Sequence, residues 1–413
     1  MASPQFLQVK SESSQEQTEL IDLCVLCFVD EHEDKIDLIP GMYRHEDGQP
    51  WVMPFVLNIE KKIIDDAGYN HEYVIFLGLR PFTEMVPQIV LGKNNPVIQS
   101  GRAFAVQTVS GTAALRAGGE LLARHANFDT FYLSDPTWDN HEYTFLYSGL
   151  KNSRVYRYWD PVTKGVDFKG MIEDLMQAPE NSIIVLQMCS HNPTGCDLTK
   201  EQWIKVADVM EERKLFPFFD AAYQGFSTGD LETDAWPVRY FVDRGFELFI
   251  AQTFSKNMGL YSDRVGSLIV VLKEGRQKEV ESIKLMLTVI IRALYLCPTK
   301  HGAEIVIQTL KSPELYKEWL ECLKMMVKRL KAVRQGLKDR LVKLGTPGNW
   351  DHITEQTGMF SFTGLSGKQV AYLAKQYHIY LMPNGRANMC ALNMNNLDAF
   401  AKALHNAVIN IPA

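Results

Sequence analysis

Four short segments of this 413-residue chain carry side chains whose types and spacing suit chemistry. In QTFSKNMGLYSDRVG, Lys256 follows Thr253 and Ser255 and stands eight residues before Arg264. A lysine amine kept from water can form a Schiff base with a carbonyl, and two hydroxyls with a guanidinium beside it suit a phosphate. In TVSGTAALRAGGELLARH, Ser110, Gly111 and Thr112 open an amphipathic helix, where free backbone N–H groups and the helix dipole favour an anion. Taken alone, that is also how an ordinary serine-capped helix begins. FPFFDAAYQGF delivers Asp220 and Tyr223 from an apolar strand, and a poorly solvated acid needs a cationic partner such as a pyridinium nitrogen. CSHNPTGCDLT sets Asn192 before Pro193 and Gly195 in a turn between a strand and a helix.

The elements around these segments must bring them to one place. From about residue 103 short β-rich runs (FYLSD, VYRYWD, SIIVLQMC, FPFFDAAY, ELFIAQTFS, VGSLIVVL) alternate with helix-patterned runs such as DFKGMIEDLMQ and KEQWIKVADVMEERK. That alternation predicts an α/β fold with a mostly parallel, doubly wound sheet, whose ligands gather at the carboxyl ends of the strands. From Ser312 to Leu344, apolar residues at Leu320, Leu323, Val327, Leu330, Val333, Leu337 and Leu341 keep one face of a single long helix. The strand and helix signals after it predict a smaller α+β domain. We therefore expect a large domain over 50–325 and a small one made of 1–49 with 326–413. The polar start QVKSESSQEQTEL reads as a loosely held arm.

Composition removes several classes of function. Hydrophobic residues make up 46% and charged residues 22%, which excludes disorder as the main state. A net charge of −6 gives no basic field for nucleic acid. Seven cysteines, odd in number and set mostly in apolar runs, are not a disulfide framework and fit a reducing compartment. The pair Cys24 and Cys27 is read as buried thiols. The first twenty residues resemble neither a presequence nor a secretory signal, and the apolar runs are too short to span a bilayer, so a cytoplasmic protein without a membrane partner is expected.

Seven motifs in this order and spacing, SGTAALR, SDPTWDNH, HNPTGCDLTKEQW, FFDAAYQGF, TFSKNMGLYSDRVG, GMFSFTGL and NGRANM, resemble the aspartate aminotransferases of the fold type I, pyridoxal-phosphate-dependent class. The resemblance runs from about Ile36 to the C-terminus and implies transamination of L-aspartate with 2-oxoglutarate, in two ping-pong stages through pyridoxamine phosphate. It implies that Lys256 binds the cofactor covalently and moves the α-proton, that Asp220 pairs with the ring nitrogen, and that Tyr223 and Asn192 bond the ring's phenolic oxygen. Trp138 falls where the family stacks an aromatic on the ring, and His141 where a residue supports the aspartate. The phosphate would rest on Ser110, Gly111, Thr112, Thr253, Ser255 and Arg264. Tyr73 matches a tyrosine that reaches the phosphate of a neighbouring subunit, which implies a homodimer with shared sites. Arg386 matches the clamp on the substrate α-carboxylate, and Arg292 the arginine that crosses from the other subunit to the distal carboxylate. Two such arginines select dicarboxylic amino and keto acids, because an unpaired guanidinium in a closed site is costly. Gly41 matches a close backbone approach to substrate.

The chain departs from the family pattern at four places. LIPGMYR stands for LGVGAYR, Ala113 for glycine, Thr253 for serine, and Leu296 with Cys297 for a polar pair after Arg292. These changes leave the core chemistry intact and alter closure and substrate contacts. They keep open the alternatives of an aspartate racemase or a catalytically weak aminotransferase-like protein.

Overall fold

The computed structural model describes residues 15–412. Seven strands form the main sheet: β1 (Ala103–Val109), β2 (Thr130–Asp135), β3 (Asn152–Arg157), β4 (Ile183–Gln187), β5 (Phe216–Ala221), β6 (Leu248–Thr253) and β7 (Val265–Val271). Their order across the sheet is β1-β7-β6-β5-β4-β2-β3. All contacts run parallel except those of β7, which is antiparallel to both β1 and β6. The expected mostly parallel α/β sheet is therefore present, with one reversed strand that residue patterning does not reveal. β4, β6 and β7 are buried along their whole length, as continuous apolar runs covered on both faces must be.

The crossovers feed helices onto both faces. One of them, α2 (Ser110–His125), follows β1 without a loop and lies against β6 and β7. Gly118 lets it approach, since a Cβ there would sit 2.6 Å from the Phe218 ring. Further on, α3 (Val280–Leu294) packs on α2, and α4 (Pro313–Lys343) runs as a single helix of 31 residues. Ser312 caps α4 by accepting from the Leu315 N–H, and the foreseen apolar face is buried from Leu323 to Leu341, with Trp319 and Met326 added.

Beyond α4 the chain returns to its beginning. Ile36–Asp37 pairs in parallel with Ile379–Tyr380, and Phe360–Phe362 pairs antiparallel with Arg386–Asn388. Of the polar start expected to be a loose arm, residues 8–14 lie outside the described residues. From Gln15 the chain is already helical, in α1 (Gln15–Val29). That helix also corrects the reading of its two cysteines. Cys27 is buried against Ile39, Tyr380 and Met382, whereas Cys24 is exposed, because a surface helix buries only one face.

Candidate active site

Strand direction decides where the chemistry collects. β1, β4, β5 and β6 all end at the same sheet edge, and the reversed β7 begins there. That edge receives Ser110 after β1, Asp220 near the end of β5, Thr253 at the end of β6, and Arg264 just before β7.

At one corner three buried hydroxyls form a triangle. Ser110 Oγ lies 2.9 Å from Thr253 Oγ1 and 3.1 Å from Ser255 Oγ, and the last two are 2.9 Å apart. Arg264 Nη1 donates to the Tyr261 carbonyl at 3.0 Å and lies 3.5 Å from Ser255 Oγ. Gly111 and Thr112 stand on the first turn of α2, so the triangle adjoins a helix N-terminus. Gly266 faces this corner for steric reasons, since a Cβ there would come 2.7 Å from the Ser110 carbonyl carbon. Hydroxyls, an arginine and helix N–H groups together make a seat for a tetrahedral anion.

Asp220 lies in the middle of the edge and is buried. Its Oδ2 is 3.0 Å from His141 Nε2, and His141 Nδ1 is 2.8 Å from Thr137 Oγ1. The other carboxylate oxygen accepts no hydrogen bond from the described residues, so it is available to a cationic ring N–H. Trp138 meets the His141 ring edge to face at 5.3 Å. Tyr223 is buried beside them, and burial pushes its phenol well above the ordinary value.

Lys256 follows β6, with its amine 2.8 Å from the Gly41 carbonyl, to which it donates. Its pKa is lowered to about 8, first by burial and then by the charges of Arg264 and Arg386. Such an amine is neutral often enough near pH 7.4 to attack a carbonyl. Gly41 is required in this spot, because a Cβ would lie 2.8 Å from the Phe360 ring and 3.7 Å from the lysine nitrogen.

Arg386 is buried and its guanidinium lies 4.2 Å from the Phe360 ring centre. Nη1 donates to Asn192 Oδ1 at 3.2 Å and Nη2 to the Ile39 carbonyl at 2.7 Å. Among the described residues Nε has no partner, leaving a buried donor for an incoming carboxylate. Asn192 is itself held by Gln187, whose side chain both accepts from its N–H and donates to its carbonyl.

The structure thus gathers Ser110, Gly111, Thr112, Trp138, Asn192, Asp220, Tyr223, Thr253, Ser255, Lys256, Arg264, Arg386 and Gly41 at one sheet edge. Tyr73 and Arg292 are not among them. Tyr73 is 83% exposed, and Arg292 is exposed with its guanidinium 5.0 Å from the Phe76 ring centre. Sequence reasoning passed over Thr137, Gln187, Tyr261 and Phe360. Thr137 could have been found from its spacing four residues before His141 in SDPTWDNH; the others carry no local signal.

These residues fit a phosphorylated pyridine aldehyde: an anion seat, an unoccupied carboxylate oxygen for a ring N–H, and an amine of lowered pKa stand along one edge. The family described as aminotransferase class I and II matches residues 33–404. The cytoplasmic aspartate aminotransferase of Gallus gallus is 49% identical over 91% of this chain and 92% of its own. The structure of a cytoplasmic aspartate aminotransferase from Saccharomyces cerevisiae superposes with a TM-score of 0.94 at 38% identity, covering 98% of both chains. An aromatic-amino-acid aminotransferase from Burkholderia pseudomallei, solved covalently bound to pyridoxal phosphate, gives 0.92 at 34% identity, covering 98% of this chain and all of that one.

Proposed function

Because the chain belongs to the class I and II aminotransferases, we propose that it moves the amino group of L-aspartate to 2-oxoglutarate, yielding oxaloacetate and L-glutamate, with pyridoxal phosphate as cofactor. The observation that carries this reading is the lysine amine of lowered pKa held between a hydroxyl triangle and a buried arginine whose Nε meets no acceptor among the described residues.

When bound, pyridoxal phosphate supplies a carbonyl for the amino group and an electron sink for the pair left at the α-carbon. The protein's part follows from its own groups. Ser110, Thr253, Ser255, Arg264 and the first turn of α2 would hold the phosphate, with Gly111 and Thr112 lending backbone and hydroxyl. Asp220, fixed by His141, would keep a ring nitrogen protonated, and Trp138 would lie against the ring. Tyr223 and Asn192 would donate to the ring oxygen. Arg386 would receive the α-carboxylate, which fixes the α-carbon relative to Lys256. The neutral Lys256 amine would then take the α-proton and carry it across the nitrogen to the carbon that was the cofactor's aldehyde, a general base of suitable pKa.

Tyr73 and Arg292 both lie on the outer surface of the chain, which supports a homodimer in which each completes the partner's site. Arg292 would there meet the distal carboxylate and make dicarboxylic acids the substrates. We also take residues 50–325 as the cofactor-binding domain and 1–49 with 326–413 as the small one. The cytoplasmic names of relatives support a cytoplasmic location, and among the described residues no helix is long and apolar enough to cross a membrane.

The test is the visible spectrum of the purified protein before and after L-aspartate alone. The band of lysine-bound cofactor should vanish with release of one equivalent of oxaloacetate; a band unmoved by aspartate overturns the reading.

A further inference from the structure

Arg329 lies near the middle of α4, and its guanidinium is engaged with backbone carbonyls of two distant segments. Nη1 donates to the Arg44 carbonyl at 2.7 Å. Nη2 donates to the Leu392 carbonyl at 2.9 Å and lies 3.5 Å from that of Cys390. Its central carbon is 5.1 Å from the Tyr43 ring centre. Among the described residues no carboxylate pairs with it.

The two segments it joins are those that flank Lys256 and Arg386. Along residues 38–44 almost every carbonyl is in use. Leu38 accepts from the Asn388 backbone at 2.9 Å, Ile39 from Arg386, and Gly41 from Lys256. Pro40 and Met42 accept from the Asn388 side chain at 2.6 and 2.8 Å. The Tyr43 N–H donates to the Tyr261 hydroxyl at 2.9 Å, and the Tyr261 ring centre is 5.0 Å from the Lys256 nitrogen. One end of the strip is fixed by the pairing of Ile36–Asp37 with Ile379–Tyr380, while Arg329 fixes the other.

We propose that Arg329 is a positioning residue: it holds the 38–44 strip against the 386–392 segment, so that the Ile39 and Gly41 carbonyls keep Arg386 and Lys256 in their working orientations. A planar fork is needed to reach the Arg44 and Leu392 carbonyls together while lying on the Tyr43 ring, and a lysine ammonium cannot do all three. The inference rests on reading Lys256 as the amine that holds the cofactor and Arg386 as the carboxylate clamp.

The test compares wild-type holoenzyme with Arg329→Lys and Arg329→Met. The readouts are KM for L-aspartate, succinate affinity by calorimetry, and backbone amide exchange over residues 38–46. Loss of one charge-assisted carbonyl contact should raise KM and weaken succinate binding by about tenfold, with faster exchange confined to that strip and to 388–392. A lowered melting temperature with unchanged exchange and unchanged succinate affinity overturns the proposal, as does faster exchange with unchanged succinate affinity. Where the methionine variant fails to fold, the lysine variant decides, since it keeps the charge and most of the volume. If the wild type turns over no aspartate, the functional reading fails, while succinate affinity and exchange still decide the role of Arg329.

Discussion

Replacing Lys256 by methionine should make the cofactor-free protein more stable, and by an amount that depends on pH. The amine is enclosed by Gly41, Tyr223 and Tyr261 and faces the positive charges of Arg264 and Arg386, which together lower its pKa from 10.5 to about 8. Each pKa unit is worth about 1.4 kcal/mol, so holding the charged amine in the folded state costs about 3 kcal/mol relative to the unfolded chain. The sign follows from which state binds the proton. Below pH 8 both states hold it and the full cost stands. Between pH 8 and 10.5 the unfolded chain holds more protons than the folded one, so wild-type stability rises with pH relative to the variant. Methionine has nearly the same length and no charge to desolvate. The advantage of Lys256→Met, read as the shift in urea midpoint multiplied by the common slope, should be greatest at pH 7 and shrink toward pH 10.5. The reasoning is refuted if the variant is less stable at pH 7, or if its advantage is the same at both pH values. The same pKa predicts that cofactor capture by the wild type, trapped with borohydride, accelerates through pH 8 rather than near pH 10.

Two further outcomes follow from single residues. Leu296 has a φ of +67° and is 41% exposed, so it bears left-handed strain without burying much surface in return. Leu296→Asn should raise stability by about 1 kcal/mol in urea unfolding, and a lowered midpoint would count against the strain. Arg292→Leu should lower kcat/KM for aspartate by about a hundredfold or more while leaving that for L-alanine nearly unchanged, because only the dicarboxylate loses an ion pair. Equal losses on both substrates would remove Arg292 from substrate selection.

Much of this architecture is written locally. Alternating β-rich and helical runs require a layered α/β sheet, because each apolar strand must be covered on both faces. The 31-residue helix is visible in its apolar spacing, and the capping serine at 312 marks its start. Lys256, Asp220 and Ser110 are picked out in the sequence because each stands in a short motif whose residue types already suit an amine, an acid and an anion seat, whereas Arg386 is picked out only by the family resemblance of NGRANM.

Other features exist only once the chain is folded. The reversal of β7 leaves no trace in its composition, since a buried strand reads as VGSLIVV in either direction. The lowered pKa of Lys256 needs Arg264 and Arg386 brought close together with burial, and its hydrogen bond to Gly41 joins residues 215 positions apart. The contact of Arg386 with the Ile39 carbonyl spans 347 positions, and that of Arg329 with Arg44 spans 285. Residue type and local spacing determined which groups could do chemistry. Strand direction and long-range backbone contacts decided which of them meet, because burial, orientation and electrostatic coupling arise only when distant segments share one edge of the sheet.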